Sequence, residues 1–455
     1  MQLINALKRL WRHAAFRRLL TLRVLSQAAD GTLQVGMASY ILFSPQNQPN
    51  AWAIAGVLAL TLLPFTIIGP FVSPLLDRWS RRNVALYSDL ARATLAAIIG
   101  VIIATGATTG AWAIVLFGAL LIAMSINRFM LAGLSAGLQH TVDEDEYLTA
   151  SSIVPTVGPL GVVIGALLGF GARFGLGGVL TADQANAVVF GLSALMFVGS
   201  VLVCRGFARD ALGPDLSASP TGPSSSLARK LAGDAQGPVS TLAEAARHLR
   251  TRPVAVLALG LMAVTRLLFG LLSVAVILAA RHLWHPADRP ELALADLTLW
   301  GLATGVGFIL SAPLVPTLVR RWGLRRTAVG LLLLGALNSV VIASSTSKPV
   351  IFVTSFFVGL AVQSFKICVD TIVQAHVDEQ FKGRAFTFYD MLFNGAFVTA
   401  GVLAAFVLPP SGLSAAAFIG IGLGYVACAL IFASSARRLG KAAFEKGTED
   451  LTRNA

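Results

Sequence analysis

Long apolar stretches, each about the length of a membrane-crossing helix, constrain this 455-residue chain more than any other feature. They run over 19–43, 51–76, 83–106, 111–139, 148–172, 184–204, 254–280, 296–319, 327–345, 350–376, 384–408 and 412–434. About 20 helical residues cross roughly 30 Å of hydrocarbon, and there the backbone must satisfy its own hydrogen bonds. With 56% of residues hydrophobic and 13% charged, a water-soluble fold of this size does not fit. The expectation is an all-α membrane protein with twelve transmembrane helices.

The net charge of +13 would point a soluble protein towards nucleic acid. Here the cations follow the even-numbered runs: Arg78, Arg81 and Arg82, then Arg205 and Arg209, then Arg320, Arg321, Arg325 and Arg326, then Lys382 and Arg384, and finally Arg437, Arg438 and Lys441. Opposite-side loops hold few, namely Arg173, Arg281, Arg289 and Lys348. The positive-inside bias therefore predicts a multi-pass protein of the cytoplasmic membrane with both termini cytoplasmic, and no nucleic-acid partner. Lys8, Arg9, Arg12, Arg17 and Arg18 precede the first span, interleaved with Leu3, Leu7, Leu10 and Phe16. That segment reads either as an amphipathic surface helix or as a basic tail that fixes orientation.

Gly213-Pro214, Ser219-Pro220-Thr221-Gly222-Pro223 and Ser224-Ser225-Ser226 mark a low-complexity linker. The expected organisation is a basic segment over 1–18, six spans over 19–205, a linker with a short surface helix over 206–252, six spans over 253–436 and a tail over 437–455. Thr241 and Glu244 supply a capping-box signal for the surface helix. The halves echo each other: Leu76-Asp77-Arg78-Trp79-Ser80 matches Val319-Arg320-Arg321-Trp322-Gly323, and Gln139-His140-Thr141-Val142-Asp143-Glu144 matches Gln374-Ala375-His376-Val377-Asp378-Glu379. Each pair falls after the second or fourth span of its half, as expected of a duplicated transporter.

Ser73-Pro74-Leu75-Leu76-Asp77-Arg78-Trp79-Ser80-Arg81-Arg82 resembles the loop motif Gly-x-x-x-Asp-Arg-x-Gly-Arg-Arg of the major facilitator superfamily, with Ser73 and Ser80 where that family usually has glycine. Together with Ser88-Asp89-Leu90-Ala91-Arg92-Ala93, Ala246-Arg247-His248-Leu249-Arg250-Thr251-Arg252-Pro253 and Gly383-Arg384, it is similar to the branch holding the bacterial enterobactin exporter and lysophospholipid transporters. The resemblance covers nearly the whole chain. It implies two pseudo-symmetric six-helix bundles rocking around a central cavity.

Ionisable groups at mid-membrane are costly unless they meet water, a partner or cargo. In the first span Arg23, Gln27, Asp30 and Gln34 share one helix face, with Asp30 roughly 18 Å from Arg18. The tenth span repeats the pattern with Gln363, Lys366, Asp370 and Gln374. Lys366 and Asp370, four apart, read either as a neutralised packing pair or as a pair that cargo or a proton opens. Asp390 and Asn394 share a face of the eleventh span, and Arg266 lies deep in the seventh, needing a partner from another helix or an anionic cargo. In the fourth span, Arg128 aligns with Ser135 and Gln139. The resemblance implies a proton-linked role for Arg128, although Met130-Leu131-Ala132 departs from the usual Arg-x-x-Gln-Gly.

By the same resemblance Asp77 engages the N-terminus of the eleventh span and belongs to a gate with Arg78, Arg81, Arg82 and Arg384. Arg81 or Arg82 would pair with Asp143 or Glu144, and Asp89 and Arg92 would extend the network. Gly158-Pro159-x-Gly161-x-x-x-Gly165-x-x-x-Gly169 reads as close helix packing, and in reduced form resembles the signature of exporters.

Cys204, Cys368 and Cys428 show neither disulfide nor zinc spacing, and His282-x-x-His285 lacks a third ligand. There is no phosphate-binding loop, nucleophile elbow or zinc-protease motif, so neither an enzyme nor a cofactor is expected. The sequence predicts a monomeric secondary transporter among membrane lipids, moving a small amphiphilic or lipid-like molecule, more readily outward, at the expense of a proton gradient. A proton-independent flippase and a non-transporting scaffold or sensor are the alternatives.

Overall fold

The computed structural model describes residues 9–43, 50–67, 80–107, 110–143, 147–176, 179–208, 211–213, 238–286, 289–345, 347–378 and 381–446. Its helices are α1 (Ala14–Phe43), α2 (Ala51–Ile67), α3 (Arg81–Ala104), α4 (Ala111–Gly137), α5 (Tyr147–Gly175), α6 (Ala182–Arg205), α7 (Pro238–Arg250), α8 (Pro253–His282), α9 (Pro290–Trp322), α10 (Leu324–Ser344), α11 (Lys348–His376), α12 (Lys382–Val407), α13 (Ala415–Arg438) and α14 (Lys441–Glu445). No strand occurs among the described residues. Ten of these helices, α3 to α6 and α8 to α13, are long and apolar enough to cross a bilayer. The fold is all-α, with α1 carrying Arg17, Arg18, Arg23 and Asp30, and α2 described over 17 residues.

Local chemistry sets the helix ends. Thr181 and Gln184 form a reciprocal capping box at the start of α6. Pro290 opens α9, whose 33 residues extend beyond the apolar run at both ends. Gly323, at φ 79°, turns the chain into α10, where Glu445 accepts hydrogen bonds from the Leu324 and Arg325 backbone amides. The positive end of the α10 dipole thus meets a carboxylate from α14.

The chain forms two compact units, one of residues 1–44 and 67–236, the other of residues 45–66 and 237–455. The described part of α2 therefore groups with the second unit. Within it, Trp52 meets Phe406 of α12 edge to face at 5.2 Å, and Gly401 leaves room for the Ala55 backbone. In the first unit α1 packs on α5 and α6, and α3 on α4 and α6; in the second α8 packs on α12 and α13, and α10 on α11 and α13. These four pairings recur in both units, whereas the α9–α11 pairing of the second has no counterpart among the described residues of the first.

Close approach explains the glycine stripe of α5. A Cβ on Gly165 would stand 1.7 Å from the Ala28 carbonyl oxygen, and one on Gly31 would stand 2.1 Å from that of Val162. Thr32 Oγ1 donates to the Gly165 carbonyl at 2.8 Å across this seam. The packing reading accounts for these glycines. Gly165→Ala should therefore lower the thermal stability of the purified protein, with about 1–3 kcal/mol expected for overpacking. Gly118→Ala on α4, where nothing lies within 4 Å of the new methyl, should not lower the melting temperature.

Candidate functional site

The polar face of α1 points into the interior of the first unit. Asp30 is 1% exposed, and Arg23, Ser26 and Gln27 are also buried. Asp30 Oδ1 accepts from Arg92 of α3 in a buried ion pair. Asp30 Oδ2 accepts from Gln34 at 2.6 Å and from Asn127 of α4 at 3.0 Å. Asn127 in turn accepts from Gln27 at 3.1 Å, so three helices converge on one carboxylate.

Arg92 also bridges to a second carboxylate. Its NH1 donates to Asp89 Oδ1 and to Ser26 Oγ, both at 3.2 Å. Ser26 Oγ and Ser200 Oγ of α6 donate to the two Asp89 oxygens at 2.9 and 2.6 Å. The guanidinium lies over the Phe197 ring, 4.1 Å from its centroid. Asp89 and Arg92 thus join Asp30 in a buried cluster; their expected place was a gate beside the loop arginines. Spacing alone could not reveal this, because position along α3 does not say which neighbour its polar face meets.

Arg23 stands apart from this cluster. Its NH1 donates to Ser135 at 3.3 Å, and its Nε is enclosed beside Gly158 without a hydrogen bond. The backbone at Arg128 belongs to α4 and that at Arg384 to α12, but their side chains lie outside the described residues, as do Asp77, Arg78 and Glu144. Arg81 donates from its backbone amide to the Gly213 carbonyl at 3.0 Å and from its guanidinium to the Leu212 carbonyl at 3.3 Å. Arg82 donates to Asn83 at 3.1 Å.

Asp143 lies 3.8 Å from His13, just before α1. Asp378, its match in the sequence repeat, lies 3.8 Å from His248 of α7 and accepts from Arg252 at 2.7 and 3.0 Å. His248 also stacks on Phe381, with ring centroids 4.3 Å apart. In each unit the aspartate after the fourth span meets a histidine from the segment that leads into its first. The repeat marked the aspartates, but nothing in it marked their partners.

The second unit has its own polar face. Lys366 donates to Asp370 at 3.0 Å, and both side chains keep about a quarter of their surface exposed, at 26% each. The Lys366 ammonium sits 5.1 Å from the Tyr389 ring centroid and 5.8 Å from that of Phe393. Asn394 donates to the Asp390 carbonyl at 3.0 Å, closing a turn of α12. Arg266 of α8 lies over Phe393 and Phe397, 4.2 Å from each centroid. A further cluster joins Asp296 of α9 with Lys348 of α11 and with His285, the last at 2.7 Å. Among the described residues no group of His, Cys, Asp and Glu could hold a metal ion.

Spanning helices in two units, with opposite charges held inside them, define a polytopic membrane protein. The chain belongs to the MFS-type transporters of the major facilitator superfamily. It is 34% identical over 399 residues to an uncharacterized MFS-type transporter of Mycobacterium tuberculosis, and equally to one of Mycobacterium bovis, covering 87% of this chain and 86% of each relative. No family model matches it. Among solved structures it resembles a POT peptide transporter, with TM-score 0.65 and 13% identity over 94% of this chain and 95% of that one. It also resembles the nucleoside transporter NupG, with TM-score 0.62 and 14% identity over 92% of this chain and 98% of that one. At such identities the structural likeness shows the fold alone.

The cluster makes a ranked stability prediction. Arg92→Met leaves two buried carboxylates without their cation and should cost about 3–5 kcal/mol. Ser200→Ala removes one hydrogen bond to Asp89 and should cost about 1–3 kcal/mol. Denaturation of the purified variants in mild detergent should place Arg92→Met well below Ser200→Ala, and Ser200→Ala below wild type.

Proposed function

We propose that this chain is a proton-coupled secondary transporter that exports a small amphiphilic or lipid-like molecule by alternating access, from a cytoplasmic membrane in which both termini face the cytoplasm. The observation that carries this reading is the ratio within the first unit's cluster: two carboxylates, Asp30 and Asp89, share one guanidinium, Arg92. One guanidinium neutralises one carboxylate. The second charge is stabilised only by neutral donors, which makes the site receptive to a single proton. Coupled carboxyls of this kind share that proton and titrate as a pair.

Proton arrival alters the bonds that tie α1 to α3 and α4, because a protonated Asp30 accepts less strongly from Arg92 and Asn127. Protonation thereby becomes a change in helix packing, which an alternating-access cycle requires. The aromatic wall of the second unit, formed by Phe269, Tyr389, Phe393 and Phe397, suits an apolar cargo body. The solved neighbours are named as peptide and nucleoside transporters, and this phenylalanine-rich wall favours a less polar cargo. The resemblance of residues 76–93 and 246–253 to the enterobactin-exporter branch favours the outward direction. A scaffold sealed by mutual ion pairs fits less well, since Arg23 and Arg266 make no ion pair among the described residues.

The test starts from lipid and metabolite profiles of cells with and without the protein. The top compound is then taken into proteoliposomes under an imposed pH gradient. Wild type should transport it in proportion to the gradient, and Asp30→Asn should lose that dependence. Gradient-driven transport unchanged in Asp30→Asn would remove Asp30 from the mechanism, and transport indifferent to the gradient in wild type would favour the proton-independent flippase.

A further inference from the structure

Arg266 is a cation that no carboxylate among the described residues neutralises. It lies about 20 Å along α8 from Pro253, near the middle of the span. Its guanidinium carbon is 4.2 Å from the Phe393 and Phe397 ring centroids and 5.4 Å from that of Phe269. Its Nε is enclosed and has no acceptor, and no carboxylate among the described residues pairs with it. The phenols Tyr389 and Tyr425 interact with it electrostatically, and Tyr425 spends its hydroxyl on the Thr265 carbonyl at 3.5 Å.

Contrast with the other deep cations that sit on aromatic rings gives this its meaning. Arg92 also lies on a phenylalanine ring, but it holds two carboxylates as well. Lys366 shares the Phe393 ring with Arg266, yet it has Asp370. Arg266, Lys366 and Asp370 together therefore carry one positive charge more than they cancel. Cation–π contact offsets about 0.5–2 kcal/mol, well short of the several kcal/mol that burying an unpaired ion costs. An uncompensated guanidinium in a half-open aromatic cage is the arrangement that an incoming anion completes, because charge-assisted hydrogen bonds from a planar fork suit a carboxylate or phosphate.

We propose that Arg266 and its cage of Phe269, Phe393 and Phe397 bind the anionic head of the cargo, so that the transported class is amphiphiles with a carboxylate or phosphoester head on an apolar body. This rests on the transport reading and narrows it. The rings receive the first carbons of the body while Arg266 holds the head. A cationic amphiphile is repelled by Arg266 and Lys366, and an uncharged one leaves the guanidinium unsatisfied. The head belongs either to a membrane lysolipid or to a water-soluble organic acid, and the same chemistry recognises both.

The experiment measures binding to full-length protein in neutral maltoside detergent by shifts in thermal unfolding. The probes are lysophosphatidylglycerol, laurate, lauryl alcohol, dodecyltrimethylammonium and inorganic phosphate. Laurate or lysophosphatidylglycerol should stabilise wild type, and which of them binds tighter separates the two sources; the other three should not. Arg266→Met should melt above wild type without ligand and bind the anionic probes at least about tenfold more weakly, while Arg266→Lys should fall between. If Arg266→Met does not fold, Arg266→Lys carries the test through an affinity at least severalfold below wild type. Anionic probes bound equally by wild type and Arg266 variants, equal shifts from lauryl alcohol, or a full shift from inorganic phosphate alone would overturn the proposal. Asp30→Asn should keep the laurate response. Loss of gradient-driven flux with that response intact upholds both readings, whereas an Arg266-dependent laurate response without gradient-driven flux in wild type refutes only the proton coupling.

Discussion

Arg92 holds the first unit together. Its guanidinium reaches Asp30 on α1 and Asp89 on its own helix, and through Ser26, Ser200 and Asn127 the same network ties in α4 and α6. In a low-dielectric interior a charge without a partner costs several kcal/mol, so none of these groups can be withdrawn without disturbing the rest. The glycine seam between α1 and α5 serves the same end. By bringing the two backbones into contact, it holds α1 in the register that aims Asp30 at Arg92.

The two units share four helix pairings and diverge in chemistry. Both pack their first helix on their fifth and sixth, and their third on their fourth and sixth. Both also place an aspartate, Asp143 or Asp378, near a histidine from the segment entering the unit. Yet in the first unit's cluster two carboxylates share the Arg92 guanidinium, while in the second Lys366 pairs with Asp370 and Arg266 meets no carboxylate among the described residues. On the proposed reading the two halves take different tasks: a proton suits the first and an anion the second.

Much of this was legible in the sequence. The apolar runs gave the spanning helices because hydrocarbon tolerates little else, and the four- and three-residue spacing of Arg23, Gln27, Asp30 and Gln34 gave the buried face of α1. Lys366 and Asp370 met as their spacing predicted, because a contact one helical turn away is local. What could not be read were contacts between helices. Arg92 was expected beside the loop arginines and sits in the core instead, since its partners Asp30 and Ser26 lie some sixty residues away. Neither Ser26 nor Ser200 stands out in the sequence, because a serine in an apolar run usually bonds to its own helix. The same limit hid the ring cage of Arg266, whose members come from two helices far apart in the chain.

The central claim is that the Asp30–Arg92–Asp89 cluster takes up and releases a proton, and infrared difference spectroscopy of the purified protein across pH reads that directly. A carboxylic-acid carbonyl component distinct from that of the exposed carboxyls should grow on acidification, reverse on return and be missing in Asp30→Asn. Both carboxyls remaining ionised at every pH at which the protein stays folded, or a band untouched by that substitution, would contradict the account.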